Sequence, residues 1–135
     1  MRFIFLSDEF YDDFAKCEEI LQKRNRPYAC LEIQVYGKTF AIPFRHHISH
    51  KYCFPTYKDY GLDYTKAVLI LKPSYIATGT PQINQKEYNI LKGKEAQIAR
   101  EFSKYVKLYQ KAKQYPDSPH YASILRYSTL KYFIK

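Results

Sequence analysis

Ala29-Cys30-Leu31-Glu32-Ile33-Gln34-Val35-Tyr36-Gly37-Lys38-Thr39-Phe40-Ala41-Ile42-Pro43-Phe44 is the stretch on which the fold turns. Leu31, Ile33 and Val35 alternate with Glu32 and Gln34, the period of a strand buried on one face. Gly37-Lys38 reads as a two-residue turn and residues 39–44 as the returning strand, so the segment predicts a β-hairpin. Pro43 has no N–H to offer a ladder, which places it at a strand end or a sheet edge.

Toward the N-terminus, Pro27 stops a helix and biases Arg26 to extended geometry. Before it, Phe10, Phe14, Cys17 and Leu21 recur at helical spacing behind a Ser7 cap, with Asp8 and Glu9 at the favourable end of the dipole. Arg2-Phe3-Ile4-Phe5-Leu6 supplies a short first strand. Toward the C-terminus, residues 45–66 are irregular, punctuated by Pro55 and Gly61. Ala67-Val68-Leu69-Ile70-Leu71 predicts a buried strand of the same sheet, and residues 73–82 a loop with a short strand at 75–77. Asn84-x-x-Glu87 is a capping box for one long helix to about Gln114. Ser118-Pro119 opens a last helix, docked by Ile124, Leu125, Leu130 and Phe133. The expected architecture is one α+β domain over residues 1–135, a twisted antiparallel sheet with helices packed on it.

The chain has 135 residues, an apolar fraction of 46% and only 4 Gly, which argues against disorder. The apolar start is too short for a signal peptide or a membrane span. Cys17, Cys30 and Cys53 are odd in number and widely spaced, so no disulfide framework is expected and a reducing cytoplasm is the default. Lys+Arg 22 against Asp+Glu 13 gives +9. The first 21 residues are acidic, with Arg2 and Lys16 facing six carboxylates, so the rest of the chain is more basic still. With 15 Tyr and 9 Phe, that basic body suits a polyanion whose bases stack on aromatic rings.

The hairpin delivers its second strand into Arg45-His46-His47-Ile48-Ser49-His50-Lys51-Tyr52, which holds three of the 4 histidines. Metal-free RNA cleavage needs a base for the 2′-OH proton, a cation for the phosphorane and an acid for the leaving oxygen. Histidine serves either proton step near neutrality, and Arg45 and Lys51 suit the non-bridging phosphate oxygens. Ser49, Tyr28 and Tyr52 are candidates to orient phosphate or proton. Two other readings stand beside this one. The segment is a solvated loop, or His46, His47, His50 and Cys53 hold zinc, although paired metal-ligand spacing is missing. Carboxylate pairs, a phosphate-cradling glycine loop and a nucleophile elbow are absent. Lys104, Lys107 and Lys111, on the same expected helix as Lys92 and Lys94, are either solvated surface or a phosphate-contacting stripe.

Asn25-Arg26-Pro27-Tyr28, the hairpin ending in Thr39-Phe40-Ala41-Ile42-Pro43-Phe44-Arg45, then His47-Ile48-Ser49-His50-Lys51-Tyr52 and Gly61-Leu62-Asp63-Tyr64-Thr65-Lys66-Ala67-Val68 resemble the ToxN/AbiQ toxins. The likeness is nearest to the CptN and TenpN branches, extends to Thr129-Leu130-Lys131-Tyr132-Phe133, and runs in order over nearly the whole chain. It implies a strongly twisted sheet or partial barrel similar to the Kid/MazF toxins. It also implies a type III toxin: a metal-independent endoribonuclease, without cofactor, that leaves a 2′,3′-cyclic phosphate on single-stranded RNA such as cellular mRNA. The implied partner is a repeated pseudoknot RNA, trimmed by the toxin and closing with it into a ring, in phage defence or plasmid maintenance. Aligned on the hairpin turn, Arg26 falls where ToxN has a lysine, and Arg45-His46 where it has Thr-Ser. The implied catalytic set is therefore Arg26, Arg45, His46, His47 and His50. Tyr28, Ser49, Lys51, Tyr52, Lys66, Lys104, Lys107 and Lys111 are the expected RNA contacts. The rival class is a non-catalytic basic module that grips RNA with the same groups.

Overall fold

In the computed structural model, which describes residues 1–22 and 27–134, the hairpin forms with its turn one residue earlier than expected. Strands β2 (Cys30–Val35) and β3 (Lys38–Arg45) pair Val35 with Lys38, so Tyr36-Gly37 is the turn. Both residues have positive φ, 55° and 70°, the geometry whose twist matches flanking strands. β1 (Arg2–Ile4) pairs with β2 on the outer side.

β3 is the central strand, and its two halves have different neighbours. β6 (Val68–Leu69) pairs with Phe40 and Ala41, whereas β5 (Gly61–Asp63) pairs with Phe44 and Arg45. β4 (Cys53–Pro55) completes the order β1-β2-β3-β5-β4, every pairing antiparallel and the sheet open. Pro43 therefore stands inside a central strand rather than at an edge. Phe44 donates to Ala29 on one side, and Thr39 accepts from Ile70 on the other. By alternation Pro43 addresses the second side, in the gap between the end of β5 and the start of β6, where no donor is needed. The strand expected at residues 67–71 shrinks to β6 because Leu71 swings out, 59% exposed.

Four α-helices accompany the sheet among the described residues: α1 (Asp8–Asp13), α2 (Gln85–Leu91), α3 (Glu95–Lys113) and α4 (Ala122–Tyr127). Ser7 caps α1 as expected, accepting from Phe10 N–H. The helix ends at Asp13, not near residue 21, because Asp12 and Asp13 load its last turn with charge of the wrong sign. A run of turns follows, and Ile20 rather than Leu21 becomes the buried residue. The single long helix is likewise split, since Gly93 adopts φ 75° and closes α2 before α3 begins. Asn84 caps α2, yet Glu87 does not reach back to it; its carboxylate accepts instead from the Thr56 hydroxyl at 2.5 Å.

The larger core lies between the sheet and α3, with Leu31, Ile33, Phe40 and Ile42 against Ile98, Phe102 and Tyr109. Residues of opposite parity, Cys30 and Ala41, join Ile4, Phe10 and Tyr75 in a smaller core under α1. Glu19 ties the two ends of the chain together by accepting from Lys131 at 2.7 Å and from the Tyr132 hydroxyl. The Lys131 bond first, then the Tyr132 bond, pull its carboxyl down to about 2. A depressed carboxyl stabilises the fold above its ordinary range and stops doing so as pH falls toward 2. Glu19→Gln should therefore be the less stable protein at pH 7 and lose less stability than the parent between pH 5 and pH 2, as read by urea titrations.

Candidate functional site

β5 lies between β3 and β4, so residues 46–52, which join β3 to β4, must cross it. Gly61 stands opposite Arg45, and a Cβ there would come within 2.5 Å of the Phe54 carbonyl oxygen. Glycine thus lets β4 and β5 close up, and Arg45 reaches diagonally to Asp63, Nη1 to Oδ2 at 2.9 Å.

Asp63 is fully buried and collects four contacts. Beside Arg45 it accepts from Thr65 N–H at 3.0 Å, from the Thr65 hydroxyl at 2.6 Å and from His50 Nε2 at 3.1 Å. Burial alone would raise its carboxyl, but the His50 and Thr65 bonds, with Arg45, outweigh that and hold it below the ordinary range. The Tyr52 N–H donates to His50 Nδ1 at 3.0 Å, so the ring hydrogen facing Asp63 is on Nε2. Both nitrogens of His50 are engaged. Its geometry is that of a group that positions Asp63, and through it Arg45.

His47 sits at the other end of β5. Its Nδ1 lies 2.7 Å from Asp59 Oδ2, and the Ile48 N–H donates to the Asp59 carbonyl at 3.1 Å. The His47 bond holds the Asp59 carboxyl below its ordinary range. A hydrogen on Nδ1 leaves the Nε2 lone pair outward as an acceptor, the tautomer that a base needs. The His47 backbone is in the left-handed region, φ 58°, uncommon for a side-chain-bearing residue though less so for histidine. Strain of this kind gathers where a side chain is being aimed. His46 stacks on Tyr60, ring centres 3.7 Å apart and 17° from parallel, and its ring centre is 6.4 Å from that of His47.

Two clefts meet at Arg45. The first, about 570 Å³ and open, is lined by Pro27, Tyr28, Phe44, Arg45, His46 and His47. The second, about 250 Å³, has Arg45 again with His50, Tyr52, Lys66, Tyr105 and Tyr127 among its lining. The expected set thus divides. Arg45, His46, His47 and Tyr28 come together, while His50, Tyr52 and Lys66 face the second cleft. Ser49 and Lys51 are exposed on the crossing segment, with the Lys51 ammonium 5.5 Å from the Tyr52 ring centre. Lys104, Lys107 and Lys111 are exposed, on the side of α3 opposite Ile98, Phe102 and Tyr109, and line neither cleft. Arg26 lies outside the described residues.

Among the described residues no three His, Cys, Asp or Glu side chains converge as metal ligands, so His46, His47, His50 and Cys53 are not gathered into a zinc site. Among them, too, no helix is long and apolar enough to cross a membrane. Asp59, Asp63, Thr65 and Tyr60 support the site and were not expected in it. The one cue in the sequence was that Asp59 and Asp63 are the acids nearest the histidines. No family model, curated protein or solved structure matches the chain.

Proposed function

We propose that the chain is an endoribonuclease toxin of the type III, ToxN/AbiQ-like class, on a sheet akin to that of the Kid/MazF toxins. The observation that carries the reading is one open cleft holding Arg45, His46 and His47, with His47 aligned by Asp59. In this scheme His47 Nε2 takes the proton of a 2′-OH, and the freed oxygen attacks the adjacent phosphorus. Arg45 spends one N–H on Asp63 and keeps others for the non-bridging oxygens of the phosphorane. The P–O5′ bond breaks as His46 gives its proton to the leaving oxygen, so the products are a 2′,3′-cyclic phosphate and a 5′-OH. No metal or cofactor enters the scheme. Tyr28 and the His46–Tyr60 stack offer flat surfaces for unpaired bases, which favours single-stranded RNA over a duplex. The proposed cellular substrate is mRNA, and the proposed inhibitor is a repeated pseudoknot RNA cut from its precursor by the same cleft.

Induced expression in a bacterial host tests this reading. Growth arrest is expected, relieved when a tandem-repeat RNA encoded beside the reading frame is co-expressed. Normal growth at a protein level visible on a gel would contradict it.

A further inference from the structure

The second cleft takes no part in the proton transfers above, yet it shares Arg45 with the first. Its lining combines two cations, Arg45 and Lys66, with the aromatic rings of Tyr52 and Tyr127. Lys66 is half-buried, donates to the Tyr127 carbonyl at 3.0 Å, and makes no ion pair among the described residues. Tyr127 is 52% exposed with the Arg126 guanidinium 5.2 Å from its ring centre, and Ser123 stands exposed at the rim.

We propose that the second cleft is a nucleotide-recognition pocket, holding the phosphate and base of one residue beside the cut; this rests on the RNA-cleaving reading of the first cleft. Arg45 is paired with the buried Asp63, and the more distant Glu19 is paired with Lys131. Lys66 is thus left as a cation without a carboxylate of its own among the described residues, and a phosphate supplies the missing charge. Burial already disfavours the charged form of Lys66, and Arg45 adds to that while Asp63 opposes it; an arriving anion favours the ammonium. A bare anion has no use for tyrosine walls, whereas a base stacks on them. A volume of about 250 Å³ lies just below the usual range of ligand pockets, so the cleft has room for no more than part or all of one nucleotide. Stacking alone is indifferent to base identity, so selection falls to the polar edge, where the Ser123 hydroxyl stands.

Calorimetric titration with the four nucleoside 3′-monophosphates and with inorganic phosphate tests the pocket on the full chain. One of the four nucleotides is expected to bind best, and better than phosphate. Tyr127→Ala should weaken that nucleotide about tenfold, Ser123→Trp should block nucleotides by filling the rim, and Lys66→Met should weaken nucleotide and phosphate alike. Tyr127 and Ser123 are exposed, so these variants keep their fold, which circular dichroism checks. Equal binding of the four nucleotides that neither variant changes, or phosphate binding as tightly as any nucleotide, overturns the pocket. RNA cleavage by the parent is scored separately. Cleavage with no nucleotide binding sinks the pocket alone, and nucleotide binding with no cleavage sinks the reading of the first cleft alone.

Discussion

Replacing His47 by asparagine is expected to slow RNA cleavage at least about a hundredfold while changing stability by less than about 0.5 kcal/mol. The side chain is 86% exposed, so no core contact is lost. Asparagine tolerates the left-handed backbone that His47 adopts at φ 58°, and its amide still reaches Asp59. It lacks only the basic lone pair that Nε2 presents to a 2′-OH. Alanine is the poorer probe, because it adds left-handed strain to the loss of the base. Single-turnover cleavage of a labelled RNA, run beside a thermal melt, reads both quantities. An unchanged rate removes His47 from the chemistry.

Asp63→Ala is expected to cost about 3 kcal/mol or more in urea unfolding and to abolish cleavage as well. The carboxylate is fully buried and answers Arg45, His50 and Thr65 at once, so its removal leaves a guanidinium and an imidazole without their partner. Arg45 stands between both clefts, and its release would disturb each of them. Because the Asp63 carboxyl is held below the ordinary range, its contribution is present at neutral pH. It fades only as pH falls through and below that range, so the gap between parent and variant should narrow on acidification. A variant that unfolds like the parent at pH 7 would show that the cluster does not hold this end of the sheet.

The hairpin, the first strand and the Ser7 cap were legible because each is a local pattern: alternation, a turn glycine, a hydroxyl before acids. Pattern and structure part where a single residue overrides a period. Gly93 divides what reads as one helix, and Asp12-Asp13 end α1 although Phe14 and Cys17 continue its apolar spacing. Pro43 is tolerated in a central strand because β3 changes neighbours there, a fact of topology that no local window contains. The site was legible as a place and less so as a constellation. His46, His47 and His50 are close in sequence, but β5 passes between the partners of the last two, pairing His47 with Asp59 and His50 with Asp63. Those two acids come from a segment that reads as an irregular loop, and only the pairing of β5 with β3 and β4 brings them to the histidines.

In the proposed function, Arg45, His46 and His47 cut RNA by 2′-OH attack. The most direct test is to incubate the purified chain with single-stranded RNA in excess EDTA and identify the chemical ends. Fragments with 2′,3′-cyclic phosphate and 5′-OH termini are the expected result. Intact RNA, or fragments ending in 3′-OH and 5′-phosphate, would contradict it.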